Sequence, residues 1–110
     1  MKIKLSILMP VRNEGINLKR ILKIINALME VPYEVLVIYD TPDDDSIPVA
    51  AALQKECPAI KPLHNTLGRG VINAIRAGVA AAKGEYVLIL PADDMGAIFD
   101  IGNMLKEIEK

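Results

Sequence analysis

Two hydrophobic periods alternate along the chain, and the alternation repeats four times. Lys4 to Met9 is a short apolar run closed by Pro10, the pattern of a strand. From Ile16 the period changes. Leu18, Ile21, Leu22, Ile25, Leu28 and Met29 recur at helical spacing, with Lys19, Arg20 and Lys23 on the opposite, solvated side. Pro32 ends this helix, and Tyr33 to Tyr39, with Val35-Leu36-Val37-Ile38 at its centre, is too apolar for a wet face, which predicts a buried strand. An acidic loop, Asp40 to Ser46, leads into a second helix from Ile47 to Glu56, stopped by Cys57-Pro58. Ile60 to His64 is a weaker strand, and Lys61 and Pro62 within it predict an edge position. Gly70 to Ala82 reads as a third helix, whose Ala74, Ala77, Gly78, Ala81 and Ala82 permit close approach to a sheet. Gly84 closes it. Tyr86 to Leu90 contains no charge, which predicts a central strand covered on both faces. A last helix, Gly96 to Glu109, turns Ile98, Ile101, Leu105 and Ile108 inward, while Met9, Met29, Met95 and Met104 fill core gaps.

Strand and helix alternating in this way imply a mostly parallel sheet of about four strands covered by helices, a Rossmann-like three-layer α/β/α architecture. No repeat or linker interrupts it, so residues 1–110 read as one domain. The composition agrees: 110 residues with 52% hydrophobic and 25% charged side chains suit a folded globular chain. Thirteen basic and fourteen acidic residues leave a net charge of -1, which disfavours a polyphosphate partner and hence nucleic acid. Cys57 is the lone cysteine and His64 the lone histidine, which excludes an internal disulfide and a Cys/His metal centre. The apolar run near the amino terminus is far short of the ~20 residues a bilayer span needs. A cytoplasmic protein is expected, with peripheral work at a membrane face still open.

The candidate chemistry lies in the loops. Six of the seven aspartates fall in two places, Asp40, Asp43, Asp44 and Asp45 after the second strand and Asp93 with Asp94 after the fourth. Ligands of an open parallel sheet bind outside the carboxyl ends of the strands, so both clusters are expected to face one crevice. Carboxylates gathered there favour a hard divalent cation, Mg²⁺ or Mn²⁺, bridging to phosphate oxygens. An acidic turn with a helix cap is the plainer reading of Asp43 to Asp45. Pro10-Val11-Arg12-Asn13-Glu14 follows the first strand at the same edge, with Asn13 a possible cap; Arg12 and Glu14 there suit a phosphate and a nucleobase. Asn65-Thr66-Leu67-Gly68-Arg69-Gly70 opens the third helix, and its glycines allow close backbone approach to an anion. His64 reads as a polar rim residue, and Tyr39 as a strand-end ring beside the crevice. A dinucleotide fingerprint fails, since Asn73 stands where its third glycine belongs. A phospho-receiver domain fails too, for want of acidic residues after the first strand and of a lysine after a fifth.

Taken in order, Pro10-Val11-Arg12-Asn13-Glu14, Val35-Leu36-Val37-Ile38-Tyr39-Asp40, Asn65-x-x-Gly68-Arg69-Gly70 with Ala74 and Gly78, and Ala82-Lys83-Gly84-Glu85-Tyr86 leading to Ala92-Asp93 resemble family 2 glycosyltransferases of the GT-A fold. They are most similar to the dolichyl-phosphate mannose synthase branch. The resemblance implies binding of a UDP- or GDP-linked sugar and its transfer, with inversion, to an acceptor such as a polyprenyl phosphate. It places Pro10 and Glu14 against base and ribose, Asp40 on the base, Arg69 near the nucleotide and Asp93 as the metal ligand of the D-x-D motif. Arg12 and Asn65, within the same matched loops, join the donor-binding set. Pro91 occupies the first D-x-D position, which leaves the cation to Asp93 with Asp94, or to Asp93 and the diphosphate alone. The matched residues correspond to the family's donor-binding half, so no catalytic base is assigned. A non-catalytic nucleotide-sugar-binding module, or a remnant acting with a partner, is the alternative. A sheet cut at this length is also expected to self-associate through its under-covered end.

Overall fold

The computed structural model describes residues 2–93 and 100–108. Its element order is β1 (Leu5–Pro10), α1 (Gly15–Leu28), β2 (Tyr33–Tyr39), α2 (Ser46–Glu56), β3 (Ile60–His64), α3 (Val71–Ala81), β4 (Tyr86–Ile89) and α4 (Ile101–Ile108). Every strand pair is parallel, and the sheet order is β3-β2-β1-β4. Side chains alternate across a strand, so each strand serves two layers. Leu5, Ile7 and Met9 of β1 and Val35 and Val37 of β2 enter the larger core with α1, α2 and α4. Leu8, Leu36 and Ile38 point the other way and meet Ala74 of α3. The described residues thus form three α/β/α layers with a parallel sheet in the middle.

Local sequence explains how each helix seats. Leu18, Ile21, Leu22 and Ile25 of α1 are at most 1% exposed, the stripe that the 3.6 period requires. α3 lies against the sheet through Gly78, where a Cβ would come within 2.7 Å of Ile38 Cδ1 and 3.0 Å of Leu8. Pro48 is tolerated because it falls in the first turn of α2. Pro62 sits in β3, an edge strand as its sequence predicts. Among the described residues, no helix is long and apolar enough to cross a membrane.

Three expectations are corrected. β4 lies at the sheet edge beside β1, and Val87 and Ile89 are 46% and 48% exposed, because α3 spans only β1 and β2 on that face. Tyr86 and Leu88 do pack on the larger core, so among the described residues β4 is covered on one face only. An uncharged run reports that both faces of a strand are apolar, not that the fold supplies a cover for each. Ile108 is exposed, one turn beyond buried Ile101 and Leu105. Met95 and Ile98 lie outside the described residues.

The α3 side of the sheet also holds a buried charge. Glu34 is 1% exposed; its Oε2 accepts hydrogen bonds from Ser6 Oγ at 2.6 Å and the Lys83 backbone N–H at 2.7 Å, and its Oε1 accepts from Lys61 Nζ at 3.0 Å. Ser6 Oγ in turn accepts from the Gly84 N–H at 2.8 Å. Burial by itself would raise this carboxyl's pKa, but the bonds from Ser6 and Lys83 and the Lys61 cation outweigh it and hold the pKa below the ordinary carboxylate range.

Candidate functional site

Three loops meet at the carboxyl edge of the sheet. In the order β3-β2-β1-β4 the chain reverses direction at β1, so the switch point lies between the ends of β1 and β4. The loop after β1 starts on a ladder bond from the Val11 N–H to the Ile38 carbonyl and turns at Asn13, whose φ is +53°. Asparagine tolerates that left-handed conformation better than most residues. Asn13 therefore shapes the turn, and the residue at the cap of α1 is Glu14, which makes no side-chain capping bond of its own.

The cap comes instead from the acidic loop some thirty residues away. Asp44 Oδ1 accepts from the Asn13 N–H at 3.1 Å, Ser46 Oγ from the Glu14 N–H at 2.9 Å, and Asp45 Oδ1 from the Gly15 N–H at 3.0 Å. Asn13 Oδ1 returns the contact by accepting from the Asp45 N–H. The N–H groups of the cap and of the first helical residue, together with that of Asn13 just before them, are thereby satisfied across the loop boundary. Asp44 Oδ1 also accepts from the Ser46 N–H at 2.8 Å, the local turn that its sequence suggests. Gly15 makes the approach possible, since a Cβ there would lie 2.9 Å from the Asp45 carbonyl oxygen. Asp44 and Asp45 thus serve backbone groups, a role the local sequence hid because their partners lie so far along the chain.

Asp40 is held with equal definition. Its Oδ1 accepts from Asn65 Nδ2 at 2.8 Å and its Oδ2 from the Gly70 N–H at 3.1 Å, which ties the end of β2 to the start of α3. Gly68 and Gly70 have φ of +111° and +119°, values that favour glycine and let the loop curl around Asn65. His64 stacks on Tyr39 with ring centroids 5.0 Å apart and places Nε2 3.1 Å from the Asp40 carbonyl oxygen.

These loops enclose a cavity of about 610 Å³. Pro10, Arg12 and Glu14 line it from the first loop, Asp40, Thr41, Asp43 and Asp44 from the second, and Arg69, Gly70, Val71 and Ala74 from the third. Thr41 and Val71 were not singled out by sequence, since nothing in an isolated threonine or a helix-start valine signals a ligand, while Ala74, read in sequence as a residue of close helix–sheet approach, also lines the cavity. Asn65 is 5% exposed and stands behind the wall rather than in it. Asp93 follows β4 at the same sheet edge but on the far side of β1 from β2, outside the cavity lining. It is exposed and carries no hydrogen bond or ion pair to a described residue. Asp94 lies outside the described residues. Among the described residues, no three His, Cys, Asp or Glu side chains come together as a metal cage. Of the aspartates expected to face one crevice, Asp40, Asp43 and Asp44 line this cavity, whereas Asp45 and Asp93 lie outside its lining, so the structure does not bring the two clusters together in it.

Comparison with known proteins gives this arrangement its setting. The family model for glycosyl transferase family 2 matches residues 6–110. The dolichol-phosphate mannosyltransferase of Pyrococcus furiosus is 31% identical over 91 residues, 82% of this chain and 26% of that protein. A solved mannosyltransferase from Pyrobaculum calidifontis, in complex with GDP-Man and Mn²⁺, superposes on all of this chain and 33% of its own, with TM-score 0.83 and 22% identity. The glucosyl-3-phosphoglycerate synthase of Mycobacterium tuberculosis, solved with Mn²⁺, UDP and glucosyl-3-phosphoglycerate, covers 82% of this chain and 33% of its own, with TM-score 0.67 and 19% identity. The chain thus spans about a quarter to a third of the length of these proteins and shares the GT-A fold with the solved ones. With the match running from the first strand through the last helix, the chain belongs to glycosyl transferase family 2.

Proposed function

We propose that these residues form the nucleotide-sugar-binding part of an inverting glycosyltransferase. The observation that carries this reading is one cavity in which Arg12 and Arg69 stand with Glu14, Asp40 and Asp43 at the carboxyl edge of a parallel sheet. Arginine offers a planar fork of N–H groups to phosphate oxygens, and fixed carboxylates accept from the N–H groups of a base or the hydroxyls of a ribose. In this reading Pro10 and Glu14 border base and ribose, Asp40 contacts the base, and Arg12 and Arg69 offset the charge of the diphosphate. The GDP-Man and UDP complexes of the structural relatives support a nucleotide-linked sugar.

A divalent cation, Mg²⁺ or Mn²⁺, belongs to the same reading. Asp93 has an exposed carboxylate uncommitted to any described residue, which suits a hard cation whose other ligands come from the diphosphate and water. When bound, such a cation acts as a Lewis acid that neutralises the departing diphosphate. The likeness to a dolichol-phosphate mannosyltransferase supports a polyprenyl phosphate as acceptor, met at the cytoplasmic face of a membrane. A second copy of the chain is included as a partner through β4, whose outer edge pairs with no described strand.

Calorimetric titration with GDP-mannose and UDP-glucose, with and without Mn²⁺, tests the reading. The expected outcome is Mn²⁺-dependent binding of one of them, lost in Asp93→Ala and weakened in Arg69→Ala. Binding indifferent to Mn²⁺ and to Asp93→Ala removes the cation from the reading. Absence of binding to either sugar nucleotide removes the donor site.

A further inference from the structure

We infer that Asn65 is a positioning residue for nucleotide binding, acting through Asp40 without touching the ligand. The inference rests on the donor-site reading and adds to it the device that aims its base-contacting carboxylate. Asn65 is 5% exposed, yet every polar function of its side chain is used. Nδ2 donates to Asp40 Oδ1 at 2.8 Å and to the Gly68 carbonyl at 2.7 Å, and Oδ1 accepts from the Leu67 N–H at 3.0 Å. The backbone N–H of Asn65 donates to the Tyr39 carbonyl at 2.8 Å, so the residue is itself registered against the end of β2.

One amide therefore joins two walls of the cavity. It fixes the rotation of the Asp40 carboxylate, whose other oxygen takes the Gly70 N–H, and it closes the loop that carries Arg69. Each Asp40 oxygen still has a lone pair for a ligand, because a carboxylate accepts about four hydrogen bonds. Without Asn65 the carboxylate keeps a single protein donor and gains rotational freedom that a bound base would have to remove. Only a side chain with both a donor and an acceptor can serve Asp40, Gly68 and Leu67 at once. Aspartate, of the same shape, would set a second carboxylate against Asp40.

The test is a double-mutant cycle read by nucleotide affinity, with GDP and UDP as the probes. Calorimetry on the unmodified chain, Asn65→Ala, Asp40→Ala and the double variant gives the four dissociation constants. Asn65→Ala is expected to weaken binding about tenfold when Asp40 is present and by less than twofold when it is absent, since residues that act through one another are non-additive. A purely structural role for Asn65 would lower affinity by the same factor in both backgrounds, and that result overturns the inference. Asn65→Ser, which keeps a small polar group, is carried through the same cycle should the alanine variant not fold. If the unmodified chain binds neither nucleotide, the donor-site reading fails and takes the inference with it, an outcome distinct from multiplying losses.

Discussion

Three kinds of carboxylate are distinguished by what surrounds them. Asp44 and Asp45 are taken up by backbone N–H groups of the first loop, Glu34 is buried among Ser6, Lys61 and Lys83, and Asp43 and Asp93 carry no bond to a described residue. Glu34 carries a testable consequence. Its folded pKa is lowered from the ordinary 4.5, so the folded state binds its proton less readily than the unfolded state. The contribution of the carboxylate is therefore complete above about pH 4.5 and is lost as pH falls through the lower, folded value. Glu34→Gln is expected to cost about 3 kcal/mol at neutral pH, because Lys61 and the Ser6 network lose their anionic partner. The same variant should flatten the fall in urea-unfolding stability below pH 4.5. A variant whose acid profile matched that of the unmodified chain would contradict this assignment.

At the scale of elements, spacing predicted what depends on one face at a time. The stripe of α1 from Leu18 to Ile25, the edge position of Pro62 in β3 and the small-residue face of α3 were all legible, because each follows from local periodicity or a missing N–H, while Leu28, expected in the same stripe, is exposed at the helix end. The joints between elements were not. Gly84 reads in sequence only as a helix stop, yet a Cβ there would lie 2.6 Å from the Ser6 backbone nitrogen and Oγ and 2.9 Å from the Leu5 carbonyl carbon. The turn from α3 to β4 rides directly on the β1 backbone, which cannot step aside as a side-chain tip can. Gly84→Ala is therefore expected to destabilise the fold by about 2–3 kcal/mol in urea unfolding, the cost of overpacking together with the bond to Ser6. A loss below about 0.5 kcal/mol would show that β1 and the turn are not locked together. In the same way, the clamp of Asp44, Asp45 and Ser46 on α1 joins two loops that no local motif connects.

For the whole molecule, the order β3-β2-β1-β4 decides both the site and the exposed surface. The three cavity loops come from β1, β2 and the start of α3, and Asp93 emerges across β1. On the face that carries α3, Val87 and Ile89 lie half exposed, beside an outer strand edge unpaired among the described residues. Apolar side chains next to an open edge favour pairing with another chain. Light scattering is expected to show a mass that rises with concentration, and replacement of both Val87 and Ile89 by lysine should return it to that of a monomer. A monomeric mass for the unmodified chain at high concentration would refute this, whatever the outcome for the nucleotide site.

By itself the sequence determined the order of the elements, the parallel sheet and the three loops that carry the candidate chemistry, because periodicity and chain breaks are local properties that each segment displays alone. Tertiary structure decided which carboxylates remain available, that β4 lies at the second edge and which asparagine stands behind the cavity wall. Those outcomes depend on hydrogen bonds between residues 25 to 49 positions apart, such as Asn65 with Asp40 and Lys83 with Glu34. They depend equally on where a strand finds its neighbour. Neither is written in the spacing of residues along one segment, since both arise only when separate segments are brought into contact.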